Sequence, residues 1–333
     1  MDSLSQALLG ASLAGAIAPS GQRRKALVMG AALGTLPDLD VFIDFGGAVE
    51  NFTYHRGFSH SLFVLTPLSL ALWAGLKWLW PPANDAPLRW LAAIALALIT
   101  HPLLDAHTAY GTQLLWPMTT PPVSWATLFI IDPLFTLPLL TGAVLLAVWP
   151  QTQRGIRAIR AGVALSAAYV AWSWAAQGIV TKNANESLAD INVQPEALFV
   201  TPAPFNTLLW RIVVRTETGF LEGFDSLLVD EGRVQFKTIE SDNQAMTDAS
   251  DIWAVARLRW FSRDFVKASV QDDRIILSDL RMGLEPTYAF SHVVAVRGNP
   301  HWKAIPTELL SVSYDRELLK KTLSRIWTNQ APP

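Results

Sequence analysis

The strongest constraint on this chain is the uneven distribution of its apolar residues. Six apolar runs lie before residue 181, whereas charged residues become frequent after about Lys182. Charged residues make up 16% of the chain, against roughly 25% in an average soluble protein. The sequence therefore predicts a mainly α-helical polytopic membrane domain at 1–182, with about 4–6 membrane helices. A soluble α+β domain with an antiparallel sheet is predicted at 183–333.

The six apolar runs differ in length. The first two are shorter than the ~20 residues that span hydrocarbon, so each could be tilted, buried in the bundle or part of a hairpin that dips into the membrane. The other four are longer and read as membrane helices. In chain order the runs are 4–18, 26–36, 62–80, 88–104, 128–149 and 156–180.

Basic residues predict the orientation of these runs. They follow the first, third and fifth runs, at 23–25, at Arg89 and at 154–160. If all six runs cross the membrane, these connections share one side, and the positive-inside rule makes that side cytoplasmic. The N-terminus and the soluble domain then lie on the extracytoplasmic side.

The second half carries the signals of a sheet with short turns. Two segments read as helices, at 242–257 and 315–327, and turn signals occur at 217–219 and 230–232. The predicted strands are 208–216, 220–229, 233–239, 264–270, 274–280 and 288–296.

Side chains that bind metals are concentrated in three short clusters beside the apolar runs. Asp38 and Asp40 follow the second run, His55 and His60 precede the third, and a His and an Asp end the fourth. Ionisable groups next to membrane segments usually mark function. If all the runs cross, the three clusters meet at one face. The six candidate metal ligands are Asp38, Asp40, His55, His60, His101 and Asp105.

Each cluster alone also has a purely structural interpretation. The Asp pair is typical of a helix cap, and two histidines five residues apart can be interfacial residues bonded to headgroups or backbone. His101 and Asp105 share one helix face at a spacing of four, as a polar pair at a helix end would. Their common position at one predicted face favours a metal site over three separate structural roles.

The chemistry of such a site follows from its residue types. The chain has no Cys, so any metal is held by His and carboxylates, which suits zinc, with manganese or magnesium as alternatives. A bound ion acidifies water for hydrolysis, and six ligands could hold two ions, as in phosphoester hydrolysis. Arg56 and Asp105 are the predicted catalytic residues, with Arg56 holding the developing anion. A net charge of −2 gives no support for nucleic acid as a partner.

These motifs resemble the YdjM/YfhP-type metal-dependent hydrolases, a LexA-binding, inner-membrane-associated family. The resemblance covers roughly residues 1–180 and rests on 34–40 (GTLPDLD), 55–61 (HRGFSHS) and 101–105 (HPLLD), with 110–113 and 131–135. It implies a bacterial inner-membrane hydrolase. A weaker similarity to zinc-dependent phospholipases C and related nucleases favours a phosphoester substrate.

One position departs from the family pattern. Family members usually carry a His in the opening segment where this chain has Gln6. If that His is a ligand in relatives, this chain has lost one, which bears on the number of metals or on activity itself.

The sequence thus predicts a membrane hydrolase whose metal-activated water attacks a phosphoester or other ester of an amphiphilic substrate, such as a membrane lipid. The alternative is a non-enzymatic membrane protein with a structural or sensory metal site and a binding role for the soluble domain. A divalent-ion transporter is disfavoured, because the third, fifth and sixth runs carry hardly any polar groups at midplane depth.

Overall fold

The structure of the protein, a computed structural model, describes residues 1–217, 219–312 and 316–329. Within these ranges the chain divides into two compact units. The first contains residues 1–43, 56–125 and 129–173, and the second contains 44–55, 126–128 and 174–333 in so far as they are described. The predicted division at residue 182 therefore differs from the observed one most at 44–55, which joins the second unit.

All six apolar runs form helices, which we number in chain order together with a short helix in the 44–55 segment. Three of them, α4, α5 and α7, are long and apolar enough to cross a membrane, and α1 and α6 are shorter apolar helices. The bounds are α1 Ser3–Ile17, α2 Arg23–Thr35, α3 Ala48–Tyr54, α4 Leu62–Leu79, α5 Pro87–Ala106, α6 Pro133–Val148 and α7 Gln153–Asp190. The predicted class, a helical membrane region followed by antiparallel sheets, is confirmed.

The fifth run differs from its prediction. We expected a helix from residue 128, but α6 begins at Pro133. The Asp132 side chain accepts a hydrogen bond from the backbone N–H of Leu134, so it caps the helix, and proline is favoured at the first helical position. The polar Asp–Pro pair therefore defines the helix start, and the four apolar residues before it lie outside the helix.

Helices α1 and α2 pack with almost no space between their backbones. A Cβ atom on Gly10 would lie 2.2 Å from the carbonyl oxygen of Gly30, and one on Gly34 would lie 2.5 Å from that of Gln6. Such distances are far inside van der Waals contact, so only glycine permits this approach. The packing fixes Gln6 beside the end of α2, next to the candidate metal ligands.

The basic connections of the first unit lie together at one end of its bundle. An Arg23 guanidinium N–H donates to the carbonyl oxygen of Pro150 at 2.8 Å, which joins the α1–α2 and α6–α7 connections. Gln22 donates to the carbonyl oxygen of Pro82, in the α4–α5 connection, at 3.2 Å. The three basic connections therefore share one end, as the charge pattern predicts.

The second unit contains two four-stranded antiparallel sheets and a two-stranded one. The strand orders are β1-β2-β3-β4, β10-β9-β6-β5 and β7-β8. The bounds are β1 Ala197–Pro202, β2 Leu209–Thr216, β3 Gly219–Ser226, β4 Phe236–Ile239, β5 Val266–Gln271, β6 Arg274–Asp279, β7 Gly283–Leu284, β8 Thr287–Tyr288, β9 Ser291–Val296 and β10 Lys303–Leu309. The last part of α7 packs Ala176, Val180 and Leu188 against Trp210 and Ile212 of the first sheet.

The helices of the second unit are shorter than predicted. The predicted helix at 242–257 is divided into α8 Asn243–Asp248 and α9 Trp253–Ser262, and the last helix is α10 Arg316–Ser324. Residues 249–252 interrupt the first of these, and Ser250 and Asp251 are poor helix formers. Thr218, in a predicted turn, and Asp315, at the predicted start of the last helix, lie outside the described residues.

Candidate metal centre

The site is built from three segments that lie at helix ends. His101 and Asp105 occupy the last two turns of α5, one turn apart on the same face. Asp38 lies in a 3₁₀ turn, Pro37–Phe42, that follows α2, and His60 ends a 3₁₀ turn, Phe58–His60, that precedes α4. The proline at 37 ends the helical hydrogen bonding of α2 and turns the chain, so that Asp38 faces the other two segments.

Four candidate ligands converge on one point. One ligand atom from each of Asp38, His60, His101 and Asp105 lies within 4.8 Å of all the others. The closest pair is His60 Nε2 and His101 Nε2, at 3.1 Å. Asp105 Oδ2 lies 3.2 Å from His60 Nε2 and 3.5 Å from His101 Nε2. Asp38 Oδ1 lies 3.6 Å and 3.3 Å from the same two nitrogens.

These distances match the edges of a metal-centred tetrahedron. Ligand bonds of roughly 2.0–2.1 Å to zinc place neighbouring ligand atoms about 3.3 Å apart. Five of the six distances between the ligand atoms are 3.1–3.6 Å and bracket that value, and the sixth, between the two carboxylates, is at most 4.8 Å. The side-chain set could therefore hold a single divalent ion.

The tautomers of the two histidines support the same conclusion. His101 Nδ1 lies 2.6 Å from the carbonyl oxygen of Gly34, and since a carbonyl only accepts, Nδ1 carries the proton. His60 Nδ1 lies 2.9 Å from Ser59 Oγ, which itself donates to Asp40 Oδ2 at 2.6 Å. A neutral imidazole protonated at Nδ1 has its lone pair on Nε2. With both imidazoles neutral, as metal binding requires, the two lone pairs face the two carboxylate oxygens, an arrangement of acceptors that a cation would satisfy.

Asp40 lies behind His60 and not among the four converging ligands. Its Oδ2 accepts from Ser59 Oγ and from the backbone N–H of Arg56, and lies 3.7 Å from His60 Nδ1. A carboxylate that orients a ligating imidazole from the far side is a common feature of metal sites. The structure thus places Asp40 behind His60, and its predicted role as a ligand stays a prediction.

His55 is not brought into the group of four. It is the last residue of the 44–55 segment, which belongs to the second unit, whereas the four converging residues belong to the first. The five-residue spacing to His60 predicted two imidazoles meeting from a loop and a helix start. The chain passes from one unit to the other between His55 and Arg56.

Arg56 is buried beside the ligands. Its Nε lies 3.2 Å from Asp105 Oδ2, one guanidinium N–H donates to Thr108 Oγ1 at 3.2 Å, and the guanidinium lies 5.0 Å from the centre of the Tyr110 ring. Its φ of +59° is in the left-handed region, where non-glycine residues are uncommon. The hydrogen bond from its own N–H to Asp40 helps to hold that conformation, so the cation is fixed at one edge of the site.

Gln6 occupies the other side of Asp105. Its Nε2 donates to Asp105 Oδ1 at 3.0 Å and to the carbonyl oxygen of His101 at 3.1 Å, and the amino group of Met1 also contacts Asp105 Oδ1. Residue spacing could not predict this contact, because Gln6 lies 95 residues before His101 in the sequence. The departure from the family pattern was the only indication that this position lies at the site.

Asp38 is the ligand that reaches the surface. Its side chain is 19% exposed, whereas those of His60, His101 and Asp105 are fully buried. Asp38 therefore marks the open side of the site.

The part of the chain that carries this site matches a known protein family. The sequence model of the YdjM inner membrane protein family matches residues 1–180. The chain belongs to this family. The match contains all four converging residues, and together with the candidate membrane helices it identifies an inner-membrane protein.

Two relatives are similar over shorter stretches. The inner membrane protein YbcI of Escherichia coli (strain K12) is 36% identical over 95 residues, which is 27% of this chain and 53% of YbcI. YfhP of Bacillus subtilis (strain 168), described as uncharacterized, is 26% identical over 188 residues, 56% of this chain and 54% of YfhP. The chain thus spans about half the length of these curated relatives. No solved structure matches it.

Proposed function

We propose that this protein is an integral membrane metal-dependent hydrolase that cleaves a phosphoester or other ester of an amphiphilic substrate. The observation that carries the proposal is the convergence of four candidate ligand atoms, from Asp38, His60, His101 and Asp105, within 4.8 Å of one another. Two imidazoles with two carboxylates suit zinc, with manganese or magnesium as alternatives. A divalent ion at this site would acidify water and polarise the ester that is cleaved.

The surrounding residues have separate tasks in this proposal. Arg56, fixed beside Asp105, stabilises the negative charge that develops on the substrate. Gly34 and the Asp40–Ser59 pair keep both ligating imidazoles in the required tautomer and orientation. Asp38 lies at the open side, where substrate and water enter.

We infer that the site takes one ion and not two. A second ion bridged by Asp105 would need Oδ1, but this oxygen already accepts a hydrogen bond from Gln6 and contacts the Met1 amino group. On the Oδ2 side Arg56 already supplies a positive charge. Elemental analysis of the purified protein is therefore expected to give about one ion per chain, and two ions per chain would contradict this assignment.

The orientation rests on the basic connections at one end of the bundle. Since those connections share one end, the positive-inside rule places that end in the cytoplasm. The site and the soluble domain then lie on the extracytoplasmic side. Accessibility of a single cysteine placed at Asp85, in the α4–α5 connection, to an impermeant thiol reagent in intact cells tests this, because protection is expected there.

A second candidate function is supported by the same geometry. Structural zinc sites have four protein ligands, whereas catalytic sites keep a position open for water. If all four residues bind at once, the ion is structural or sensory and the soluble domain is the part that binds partners. The two candidates differ at Asp38. Of the four ligands it is the one that is partly exposed, so it is the one that water could replace on the ion.

The first experiment measures metal content beside turnover. The full-length protein in detergent is compared with His60→Ala and with the matched control His107→Ala, which lies outside the group of four and whose Nδ1 lies 2.8 Å from the carbonyl oxygen of Leu103. We expect the ion in the wild type and in the control, and its loss in His60→Ala. Turnover of a phosphoester by the metal-loaded wild type supports the hydrolase, and a stoichiometric ion without turnover of any ester supports the structural role.

A further inference from the structure

Exposed apolar side chains occur on the loops that carry two of the candidate ligands and on a third loop bonded to one of them. They come from the three loops that carry or contact the ligands, and we call them the apolar rim. Phe42 is 83% exposed and Val41 is 66% exposed, directly after the ligand Asp38 and its neighbour Asp40. The rim consists of Leu39, Val41, Phe42, Phe58, Trp116 and Met118.

The rim is attached to the site by direct contacts. The Phe58 and Trp116 rings lie 6.3 Å apart in an edge-on arrangement, and the Ser61 hydroxyl donates to the carbonyl oxygen of Trp116 at 2.6 Å. The hydroxyl of Ser59 donates to Asp40, which joins the loop of Phe58 to the loop of Phe42. The rim is therefore held in place by the same loops that position the ligands.

The rim continues the surface of the membrane helices. Helix α4 begins at Leu62, immediately after the loop of Phe58, and its second residue, Phe63, is 58% exposed. The loop at 114–123 contains no charged residue. Water-facing loops of a soluble protein seldom expose a continuous apolar surface, whereas aromatic and aliphatic side chains at the ends of membrane helices lie at the boundary of headgroups and acyl chains.

We propose that the apolar rim lies within the lipid leaflet and that the site receives a phospholipid directly from that leaflet. The acyl chains remain among the rim residues, and the phosphate reaches the ligands past Asp38, the one of the four that is partly exposed. This inference rests on the proposed hydrolase and specifies its substrate as a membrane phospholipid in preference to a water-soluble phosphoester.

The depth of the rim can be measured without any catalytic assay. The chain has no Cys, so Phe42→Cys creates a unique attachment point for an environment-sensitive fluorophore in vesicles of phosphatidylethanolamine and phosphatidylglycerol. We expect quenching by lipids brominated on the acyl chain and protection from aqueous iodide. The matched control is Leu228→Cys, an exposed leucine of the second unit, for which we expect the reverse. A water-like label at position 42 would overturn the proposal.

The source of the substrate is tested with two probes that share a phosphate monoester headgroup. Phosphatidic acid in vesicles carries acyl chains, and glycerol phosphate does not. Replacing Val41 and Phe42 together by Ser is expected to lower the ratio of turnover on phosphatidic acid to turnover on glycerol phosphate at least ten-fold. The control pair Val28→Ser with Trp78→Ser removes exposed apolar side chains far from the rim in sequence and is expected to leave the ratio unchanged. An unchanged ratio in the variant with Val41→Ser and Phe42→Ser would contradict entry of the substrate from the leaflet.

Failure of this inference is distinguishable from failure of the hydrolase. If the wild type holds no ion, the proposed function fails whatever the label reports. If the wild type holds an ion and turns over phosphoesters while the label at position 42 is in water, only the lipid entry is wrong.

Discussion

The two units bury charged side chains in opposite ways. In the second unit each of three buried carboxylates is paired with its own arginine, Arg211 with Glu222 at 2.6 Å, Arg281 with Asp279 at 2.6 Å and Arg325 with Asp230 at 2.7 Å. In the first unit, Asp38, Asp40 and Asp105 lie around two imidazoles whose lone pairs also face inward. There the cations are Arg56 and the Met1 amino group, both beside Asp105.

This contrast separates buried charge that is paired within the protein from buried charge that could hold a ligand. A carboxylate in a buried pair is satisfied by the protein alone, although the pair gains little over an apolar replacement. Acceptors that face one another are costly unless a cation lies beside or among them. The buried pairs in the second unit need no further component, whereas the acceptors in the first form a group that could hold an ion.

The largest expected effect follows from removing one of the converging acceptors. His60→Ala leaves three of the four ligand atoms, so metal content is expected to fall from about one ion per chain to a small fraction of that. Turnover is expected to fall by about 10³-fold or more, which corresponds to about 4 kcal/mol of transition-state stabilisation. Elemental analysis and steady-state rates check both values. Retention of the ion by the variant would show that the four acceptors are not its site.

Breaking a pair in the second unit is expected to act on stability and not on metal. Arg281→Met leaves Asp279 buried without its arginine, and such losses cost about 3–5 kcal/mol. Thermal unfolding of the full-length protein in detergent measures the change, and its metal content should equal that of the wild type. Adding Asp279→Leu to the same chain should recover most of the stability, because both charges are then absent. Loss of the ion in Arg281→Met would contradict the independence of the two kinds of buried charge.

Sequence reasoning identified the members of the site more readily than their roles. The spacing of His101 and Asp105 on one helix face, and the position of each cluster at the end of an apolar run, were enough to predict a shared face. The positions that Asp40 and His55 take in the structure could not be predicted in this way. They depend on a hydrogen bond through Ser59 and on where the chain passes from one unit to the other, and neither leaves a periodic pattern.

The same distinction applies to the fold. The six apolar runs predicted six helices because long apolar segments have few alternatives. Strand β10 was missed because most of its residues are exposed and it contains Pro306, and β1 was missed because it is short and ends in Pro202. The contact between Gln6 and Asp105 depends on the close packing of the first helices, which involves residues far apart in sequence.

Removal of the ion tests whether the stability of the protein depends on a cation at the acceptors of the first unit. A ligand present at about 100 times its dissociation constant stabilises the native state by about 2.7 kcal/mol. Treatment with a chelator should therefore lower the unfolding temperature of the wild type, and zinc should restore it. Arg281→Met should show the same metal-dependent change from a lower starting point, and His60→Ala should show none. A wild type whose unfolding temperature is independent of zinc would mean that the acceptors of the first unit are stable without a cation.

The smallest expected effect concerns a buried histidine of the second unit that lies outside any site. His292 stacks on Phe52, with ring centres 5.1 Å apart, and burial lowers its pKa from 6.5 to about 4 despite the opposing charge of Asp279. Between pH 6.5 and about 4 the unfolded chain binds a proton at this position that the native protein does not. The free energy of unfolding therefore falls as the pH falls through this range, by on the order of 1–3 kcal/mol. Unfolding temperatures measured from pH 7 to pH 4.5 should decline less steeply in His292→Gln than in the wild type, both without added metal. Equal slopes would show that His292 becomes protonated in the native protein as readily as in the unfolded chain, and that burial in this unit does not by itself exclude charge.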